Sequence, residues 1–376
     1  MATYYFFLGN TPSLSRLELE SLGLSPLIAL SDSLVAYTGG ADVMGLAPKL
    51  GGVRKIAQLL ETCTPGDAVS HVTDILTADP TKNVAITDYT GHDVIPSISL
   101  LKSSISVSRP IRFVSMETTE HELLMLSHQH VLELNLISDP GSSPGYSDPG
   151  SEVAIAKTVW IFDAEDWVRR DREKPYRDIK RGMLPPKLAR ILVNIGTRGR
   201  PGLTVYDPFC GTGTVLAEAL LVGCQAFGSD NNSDAIAGAR KNLTWLCTTY
   251  HLDSSIYHLA ISDVSRPPFP QASVVITEPY MGPLQDSRAL PSAEKIKDIA
   301  RGLDKLYRGA FRAWGRLLPP GGRVVMTIPS FQVAGRVLPS ISVDTISGLG
   351  YNFIASVPYG KPGSVVIRNI TVLEKQ

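Results

Sequence analysis

The chain has 376 residues, of which 43% are hydrophobic, and it has 36 acidic and 36 basic residues. This length allows two or three domains with sizeable cores, and no apolar run is long enough for a membrane helix. The N-terminus lacks the features of a signal peptide, and the four cysteines lack metal-ligand or Cys-x-x-Cys spacing. We therefore expect a cytoplasmic protein with no membrane segment.

The charge is distributed unevenly along the chain. Residues 1–150 contain 8 Lys and Arg against 16 Asp and Glu, whereas residues 157–200 contain 12 against 6. A protein that grips nucleic-acid phosphates needs a basic face. If the partner is a nucleic acid, we expect the basic segment to contact it more than the acidic N-terminal part.

The first 57 residues show a β-α-β-β-α-β pattern. Apolar runs predict strands at 3–8, 26–31 and 33–38 and another after Gly51-Gly52, and helical patterns occur at 13–22 and 41–48. This order is typical of a ferredoxin-like unit.

The next hundred residues are less regular. Helices are predicted at 67–78 and 120–126, strands at 83–86, 131–137 and 153–162, and a charged helix at 164–172; residues 138–151 are rich in turn formers. His128 and His130 would share one face of a strand near His121, but no third ligand has suitable spacing, so we expect no metal site.

The most informative motif runs from Asp207 to Gly213, Asp-Pro-Phe-Cys-Gly-Thr-Gly. An apolar strand precedes it and a helical pattern follows, which predicts a pocket for the polar part of a nucleotide-like ligand at a helix N-terminus. A nicotinamide cofactor is disfavoured because Leu216 occupies the place of the third glycine. The expected binding residues are Asp207, Pro208, Cys210, Gly211 and Gly213.

Two further acids follow later strands. Asp230, beside Asn231, lies 19 residues after Gly211, a distance at which an acid accepts hydrogen bonds from ribose hydroxyls. Asp263 follows a third strand at 257–261 and suits contact with an adenine amino group, although Ser262-Asp263 equally suits a cap or turn. A fourth strand ends in Thr277-Glu278-Pro279-Tyr280.

This order of motifs resembles that of S-adenosylmethionine-dependent methyltransferases that modify exocyclic amino groups. The first motif, together with Tyr176-Arg177-Asp178 and residues 183–194, resembles the THUMP-domain tRNA guanine-N2-methyltransferases of the archaeal and eukaryotic guanosine-10 type. The resemblance covers the chain well from about residue 175 onward and more weakly before it.

The resemblance implies an α/β architecture in four parts. A ferredoxin-like subdomain (1–57) and a THUMP-like RNA-binding region (58–155) form an α+β N-terminal part. A basic connector (156–190) leads to a Rossmann-like class I methyltransferase domain (191–376), and it would contact RNA phosphates through Tyr176, Arg177 and Lys187. The domain is expected to end with a helix at 305–318, a strand from Gly321 and a C-terminal antiparallel hairpin at 353–373 around the turn 360–363.

The acceptor motif departs from the usual family form, Asp or Asn followed by Pro-Pro-Tyr or Pro-Pro-Phe. Either Thr277 replaces the acid or one proline is missing and Glu278 is the acceptor. We favour Glu278, because a carboxylate accepts the amine hydrogens more strongly and takes up the released proton. Pro279 shapes the turn, and Tyr280 is expected to stack on the base.

The reaction implied is methyl transfer from S-adenosylmethionine to the N2 amine of a guanosine in tRNA. Some family members require a small activating protein subunit, so such a partner is also considered. The alternatives are an adenine-N6 or cytosine-N4 methyltransferase acting on DNA or rRNA, and a non-catalytic RNA module that binds S-adenosylmethionine.

Overall fold

The computed structural model describes residues 1–90, 111–114, 130–138, 152–178, 183–282, 292–333, 335–360 and 366–376. By contacts the chain divides into two compact units, Met1–Trp167 and Val168–Gln376. The predicted helix at 120–126, the turn-rich stretch 139–151, His121, His128 and most of the turn 360–363 lie outside the described residues.

The first unit contains one eight-stranded sheet in the order β2-β3-β1-β4-β8-β7-β5-β6. Its elements are β1 Ala2–Leu8, α1 Pro12–Ser21, β2 Ile28–Ser31, β3 Leu34–Gly39, α2 Val43–Leu46, a 3-10 turn Ala47–Lys49, β4 Val53–Cys63, α3 Ala68–Ala78, β5 Asn83–Asp88, β6 Arg112–Phe113, β7 Val131–Ser138 and β8 Val153–Ile161. The first four strands have antiparallel ferredoxin-like order, as predicted. Strand β4 continues beyond residue 57 and pairs with β8, so one sheet spans the unit.

The Gly51-Gly52 turn is fixed by helix α1. Both oxygens of the buried Glu18 carboxylate accept hydrogen bonds, from Gly51 N at 2.9 Å and from Gly52 N at 2.8 Å. A Cβ at Gly52 would lie 2.6 Å from Ser15 Oγ, so only glycine fits this close approach. The RNA-binding role of the first unit stays a prediction.

The second unit is built on a sheet in the order β11-β10-β9-β12-β13-β16-β15, with β14 paired to β13. Its strands are β9 Thr204–Asp207, β10 Gln225–Asp230, β11 Tyr257–Ile261, β12 Val274–Thr277, β13 Arg323–Val333, β14 Arg336–Pro339, β15 Tyr351–Tyr359 and β16 Val366–Lys375. The first five strands in this order are parallel. Strand β16 is antiparallel to both of its neighbours, β13 and β15, so β15 runs in the same direction as the first five. The strand order reverses between β9 and β12, and ligands of open α/β sheets bind outside the carboxyl ends of the strands at such a point.

The helices that accompany this sheet are α4 Ala164–Arg172, α5 Pro186–Thr197, α6 Thr214–Leu221, α7 Ser233–Tyr250, α8 Ala293–Leu317 and α9 Val343–Ser347. The predicted Rossmann-like fold and the closing β15–β16 hairpin are confirmed. The predicted helix at 305–318 is too short, because α8 already begins after Ser292, whose hydroxyl accepts a hydrogen bond from Lys295 N at 3.3 Å.

No helix among the described residues is both long and apolar enough to cross a membrane. The cytoplasmic location stays a prediction.

Candidate active site

The predicted site residues gather at the carboxyl ends of three neighbouring parallel strands. Asp230 ends β10, Asp207 ends β9 and Thr277 ends β12, which places them on either side of the point where the strand order reverses. The sheet therefore brings together the glycine turn, the ribose-binding candidate and the acceptor motif, although 70 residues separate the first motif from the last.

Asp207 and Thr277 link the two strands at the reversal point. The Thr277 hydroxyl donates to Asp207 Oδ1 at 2.6 Å, and the Phe209 amide donates to the same oxygen at 3.1 Å. Both linked side chains are buried. The pKa of Asp207 is raised to about 7. Burial is the largest cause, the two hydrogen bonds oppose it, and the negative charges of Asp230 and Glu278 add to the rise.

The glycine turn after Asp207 has a backbone that other residues adopt with strain. Gly211 and Gly213 have φ values of 48° and 84°. The Gly211 amide donates to Asp230 Oδ2 at 3.1 Å, and the Asn232 amide donates to Asp230 Oδ1 at 2.9 Å. The carboxylate at the end of β10 is thus held against the turn, and each of its oxygens keeps a further lone pair for a ligand hydroxyl.

Glu278 follows Thr277 and has a carboxyl group with unused hydrogen-bonding capacity. Its Oε1 is buried and has no hydrogen-bond partner among the described residues. Arg368 on β16 places its Nη1 3.9 Å from this oxygen. Burial raises the pKa of Glu278, and the Arg368 charge lowers it. A buried acceptor without a partner is costly unless a ligand satisfies it.

Tyr280 presents its ring to solvent while its backbone is fixed. The side chain is 55% exposed, whereas the carbonyl oxygen accepts a 2.8 Å hydrogen bond from the hydroxyl of Tyr307 on α8. Pro279, between this ring and Glu278, is buried. An exposed aromatic ring on an anchored backbone can stack on a planar base.

The remaining cofactor-binding candidates have different surroundings. Pro208 and Cys210 are buried, and burial raises the pKa of the Cys210 thiol, so this thiol is uncharged at neutral pH. Asn231 is exposed. Asp263 is exposed and caps its own turn by accepting hydrogen bonds from Ser265 N at 2.8 Å and Ser265 Oγ at 2.5 Å.

The three substrate-binding candidates do not share one environment. The half-buried Tyr176 packs on α7, because a Cβ at Gly238 would lie 2.2 Å from its Cδ1. Arg177 is exposed, and Lys187 is half-buried in the first turn of α5. Contact of these residues with RNA phosphates stays a prediction.

The structure adds residues to the site that the sequence did not indicate. Asn242 Oδ1 accepts from Tyr176 N at 2.9 Å, and its Nδ2 donates to the carbonyls of Tyr176 and Thr212, which joins the connector to the glycine turn. Its only sequence signal is a polar residue on the buried face of a helical pattern. Arg368 and Tyr307 carry no such signal, since strand pairing and the packing of α8 bring them to the site.

Part of the sequence matches a known domain. Residues 174–334 match the family model UPF0020, described as an RMKL-like methyltransferase domain. The crystal structure of TrmN from Thermus thermophilus shares the fold, with a TM-score of 0.54 at 18% identity over the whole of both chains. Residues 174–334 are therefore similar to a methyltransferase domain, and the second unit has a Rossmann-like fold.

The names of the curated relatives state a substrate and a reaction. The tRNA (guanine(10)-N2)-dimethyltransferase of Methanothermobacter thermautotrophicus is 30% identical over 151 residues, which are 40% of each chain. The protein of the same name from Pyrococcus abyssi is 24% identical over 349 residues, covering 87% of this chain and 88% of its own length. The match with the first relative thus spans well under half of its length, whereas the match with the second spans most of it.

Proposed function

We propose that this chain methylates the exocyclic N2 amine of a guanosine in tRNA, with S-adenosylmethionine as the methyl donor. The observation that carries the proposal concerns two side chains at the point where the strand order reverses. Glu278 has a buried carboxyl oxygen without a hydrogen-bond partner among the described residues, and Tyr280 has an exposed ring on a backbone that Tyr307 anchors. The two relatives named tRNA (guanine(10)-N2)-dimethyltransferase support the choice of substrate.

The residues present fit the proposed cofactor. When bound, S-adenosylmethionine supplies a methyl group attached to a positively charged sulfur. The carboxyl groups of Asp230 and Glu278 lie close enough to Asp207 to raise its pKa, and such a cluster of acids favours a cationic ligand. The glycine turn would allow close approach of the ligand to the backbone, and Asp230 would accept the ribose hydroxyls.

Glu278 is proposed as the acceptor of the amine hydrogens. The exocyclic amine of guanine is a weak nucleophile, because its lone pair is delocalised into the ring. Accepting its hydrogen bonds draws the nitrogen towards tetrahedral geometry and provides a base for the released proton. The Thr277 hydroxyl donates to Asp207, which supports Glu278 over Thr277 in this role.

Tyr280 is proposed to fix the plane of the base. Stacking on its ring would align the amine beside Glu278, and correct alignment accounts for a large part of the rate in a transfer of this kind. A guanosine within an RNA helix would have to leave the stack to reach this ring. The basic connector and the first unit are proposed to hold the rest of the tRNA, by shape rather than by sequence.

The test uses the purified full chain, labelled S-adenosylmethionine and unmodified tRNA transcripts, followed by nucleoside analysis. Glu278→Gln removes the charge, and Glu294→Gln is the control, since Glu294 is an exposed residue in the first turn of α8. We expect N2-methylguanosine from the wild type and the control, and a loss of about 10²–10³-fold in the rate of methyl transfer by Glu278→Gln that exceeds any loss of cofactor affinity.

Other products would decide between the alternatives. Methylated adenosine or cytidine in the same analysis would replace the guanine assignment, and cofactor binding without any methyl transfer would contradict the enzymatic role. Activity of the chain alone would contradict a requirement for an activating subunit.

A further inference from the structure

Helix α8 has a row of basic side chains along one side. The helix contains seven basic and three acidic residues, a balance of +4. Five of the basic residues recur every three or four positions, so they lie on the same side of the helix. We call these five the α8 basic row, which consists of Arg301, Lys305, Arg308, Arg312 and Arg316. The row extends over about four turns, or about 22 Å along the helix axis.

The α8 basic row faces away from the core. Apolar side chains on the opposite side of the helix are buried, among them Leu303, Tyr307 and Trp314. Four members of the row are exposed, and Arg308 is half-buried. The apolar side of α8 is therefore used for packing, and the basic side is left to the solvent.

The acids of α8 pair with only part of the row. Asp298 forms an ion pair with Arg301, and Asp304 Oδ2 lies 2.6 Å from Arg308 Nε. Residues 305–317 contain no acid. Three members of the row therefore form no ion pair or hydrogen bond within the part of the chain that the structure describes, namely Lys305, Arg312 and Arg316.

The N-terminal half of α8 lies beside the acceptor motif. The Tyr307 hydroxyl donates to the Tyr280 carbonyl at 2.8 Å. A Cβ at Gly282 would lie 2.9 Å from Ile299 Cγ2, so the residues after Tyr280 also pack closely on this helix. The row therefore begins next to the proposed base-stacking residue and continues away from it.

We propose that the α8 basic row binds the phosphate backbone of the RNA that carries the target base. This inference rests on the tRNA substrate proposed above and adds a contact surface for it. Arg and Lys form charge-assisted hydrogen bonds with phosphate oxygens, and such contacts fix the register of a nucleic acid without reading its sequence. A basic residue at every helical turn provides the repeated positive charge that a phosphate backbone complements.

A membrane surface or a protein partner fits the row less well. A helix that lies on a bilayer inserts its apolar side, and the apolar side of α8 is buried in the core. Specific protein interfaces have an apolar or aromatic centre. Between Arg301 and Arg316, however, every exposed residue of α8 is basic apart from Gly302.

A salt titration of tRNA binding tests the proposal. Lys305→Gln/Arg312→Gln removes two charges from the middle of the row. The control is Arg266→Gln/Arg336→Gln, which removes the same charge from exposed residues on other elements. Binding of labelled, unmodified tRNA transcripts to the full chain is followed by fluorescence anisotropy at several salt concentrations.

The row variant should bind tRNA roughly 10–50-fold more weakly than the wild type at about 0.1 M salt. The slope of log K against log salt concentration should become shallower by about 1.5, as expected for two lost phosphate contacts. The loss should be the same for transcripts of different sequence. The control variant should keep the affinity and the slope of the wild type.

Two further measurements separate phosphate binding from a structural role. Lys305→Arg/Arg312→Lys keeps both charges and should restore the affinity. In the methylation assay, the row variant should raise KM for tRNA and leave kcat unchanged, because phosphate contacts act equally in the ground state and the transition state. Both side chains are exposed, so the Tm should change little.

The outcomes distinguish this inference from the proposed reaction. Equal affinities and slopes for the wild type and the row variant would overturn the inference, and so would equal losses in the row variant and the control. Row-dependent binding to phosphatidylserine vesicles with unchanged tRNA binding would assign the row to a membrane surface instead. Row-dependent tRNA binding without methylated guanosine would support the phosphate contact and contradict the reaction. A wild type with no affinity for tRNA would contradict both.

Discussion

The hydroxyl of Thr277 donates a 2.6 Å hydrogen bond to the buried carboxyl group of Asp207, and this bond joins the ends of two strands where the strand order of the sheet reverses. The same carboxyl oxygen accepts the Phe209 amide and so fixes the start of the glycine turn. One buried acid therefore connects the proposed cofactor-binding turn to the proposed acceptor motif.

Asp207 should make the stability of the protein fall as pH rises. Its pKa is raised to about 7 by burial, against about 3.9 in an unfolded chain. Between these values the folded state holds a proton that the unfolded state has lost, so stability declines from about pH 4 to pH 7 and then levels off. Over this range the free energy of unfolding should fall by up to about 4 kcal/mol. Asp207→Asn should remove it, as measured by urea unfolding from pH 4 to pH 8.

Asp263→Asn is the control for this experiment. The pKa of Asp263 is lowered by the hydrogen bonds from Ser265, so its contribution is present above the unfolded pKa and is lost as pH falls through the folded value. Above about pH 5, the free energy of unfolding of Asp263→Asn should change with pH in parallel with that of the wild type. A profile of Asp207→Asn that also runs parallel to the wild type would show that Asp207 is ionised throughout.

Gly213→Ala should weaken cofactor binding. Gly213 has a φ of 84°, and a Cβ there would lie 3.3 Å from Ala239 Cβ, so alanine is strained by about 1–2 kcal/mol. Gly321→Ala carries similar strain at a φ of 75° with open space around it, in the turn before β13. Titration calorimetry with S-adenosylmethionine should show reduced affinity only for Gly213→Ala. Equal affinities would place the cofactor away from this turn.

Much of the second unit could be predicted from the sequence because its signals are local. The glycine turn, the acid after β10 and the apolar strands each lie within a few residues, and the structure brings them to one edge of a sheet as parallel order requires. Asp263 shows the limit of such reasoning, since a Ser-Asp pair after a strand also forms the turn that the structure contains.

The parts that the sequence did not indicate depend on distant contacts. Arg368 reaches Glu278 only because β16 pairs with β13 beside β12, and no spacing in the sequence marks that approach. In the sequence, Lys174 is one of many charged residues in a basic segment. Only the packing of the structure shows that Lys174 is buried while Arg177 is exposed. Burial of charge is decided by tertiary structure, so composition could not separate the two.

Tyr307→Phe should slow methyl transfer without affecting cofactor affinity. The Tyr307 hydroxyl donates to the Tyr280 carbonyl at 2.8 Å, and its loss leaves the proposed stacking residue on a less restrained backbone. The matched control is Tyr351→Phe, which removes a 2.8 Å bond to the Phe311 carbonyl within the core. Each variant should lose about 1 kcal/mol of stability, and only Tyr307→Phe should lower kcat/KM for tRNA. Equal kcat/KM values would show that the Tyr280 backbone needs no such support.

Arg368 should set the pH range in which Glu278 is active. In the proposed reaction Glu278 accepts hydrogen bonds and a proton, so its carboxyl group must be ionised. Burial raises the pKa of Glu278, and the guanidinium at 3.9 Å lowers it. Arg368→Met removes the lowering charge, so the pKa should rise and the acidic limb of the pH–rate profile should move to higher pH.

The size of that effect should depend on pH in a defined way. The loss of activity in Arg368→Met should be largest at low pH and should shrink as pH rises, because a deprotonated Glu278 no longer needs the cation for its charge. Arg368→Lys keeps the charge and should restore the position of the limb. Arg336→Met, on the exposed β14, controls for the loss of a surface cation that would otherwise attract RNA. If Arg368→Met instead lowered the rate by the same factor at every pH, Arg368 would act on RNA binding or on the geometry of the site and not on the ionisation of Glu278.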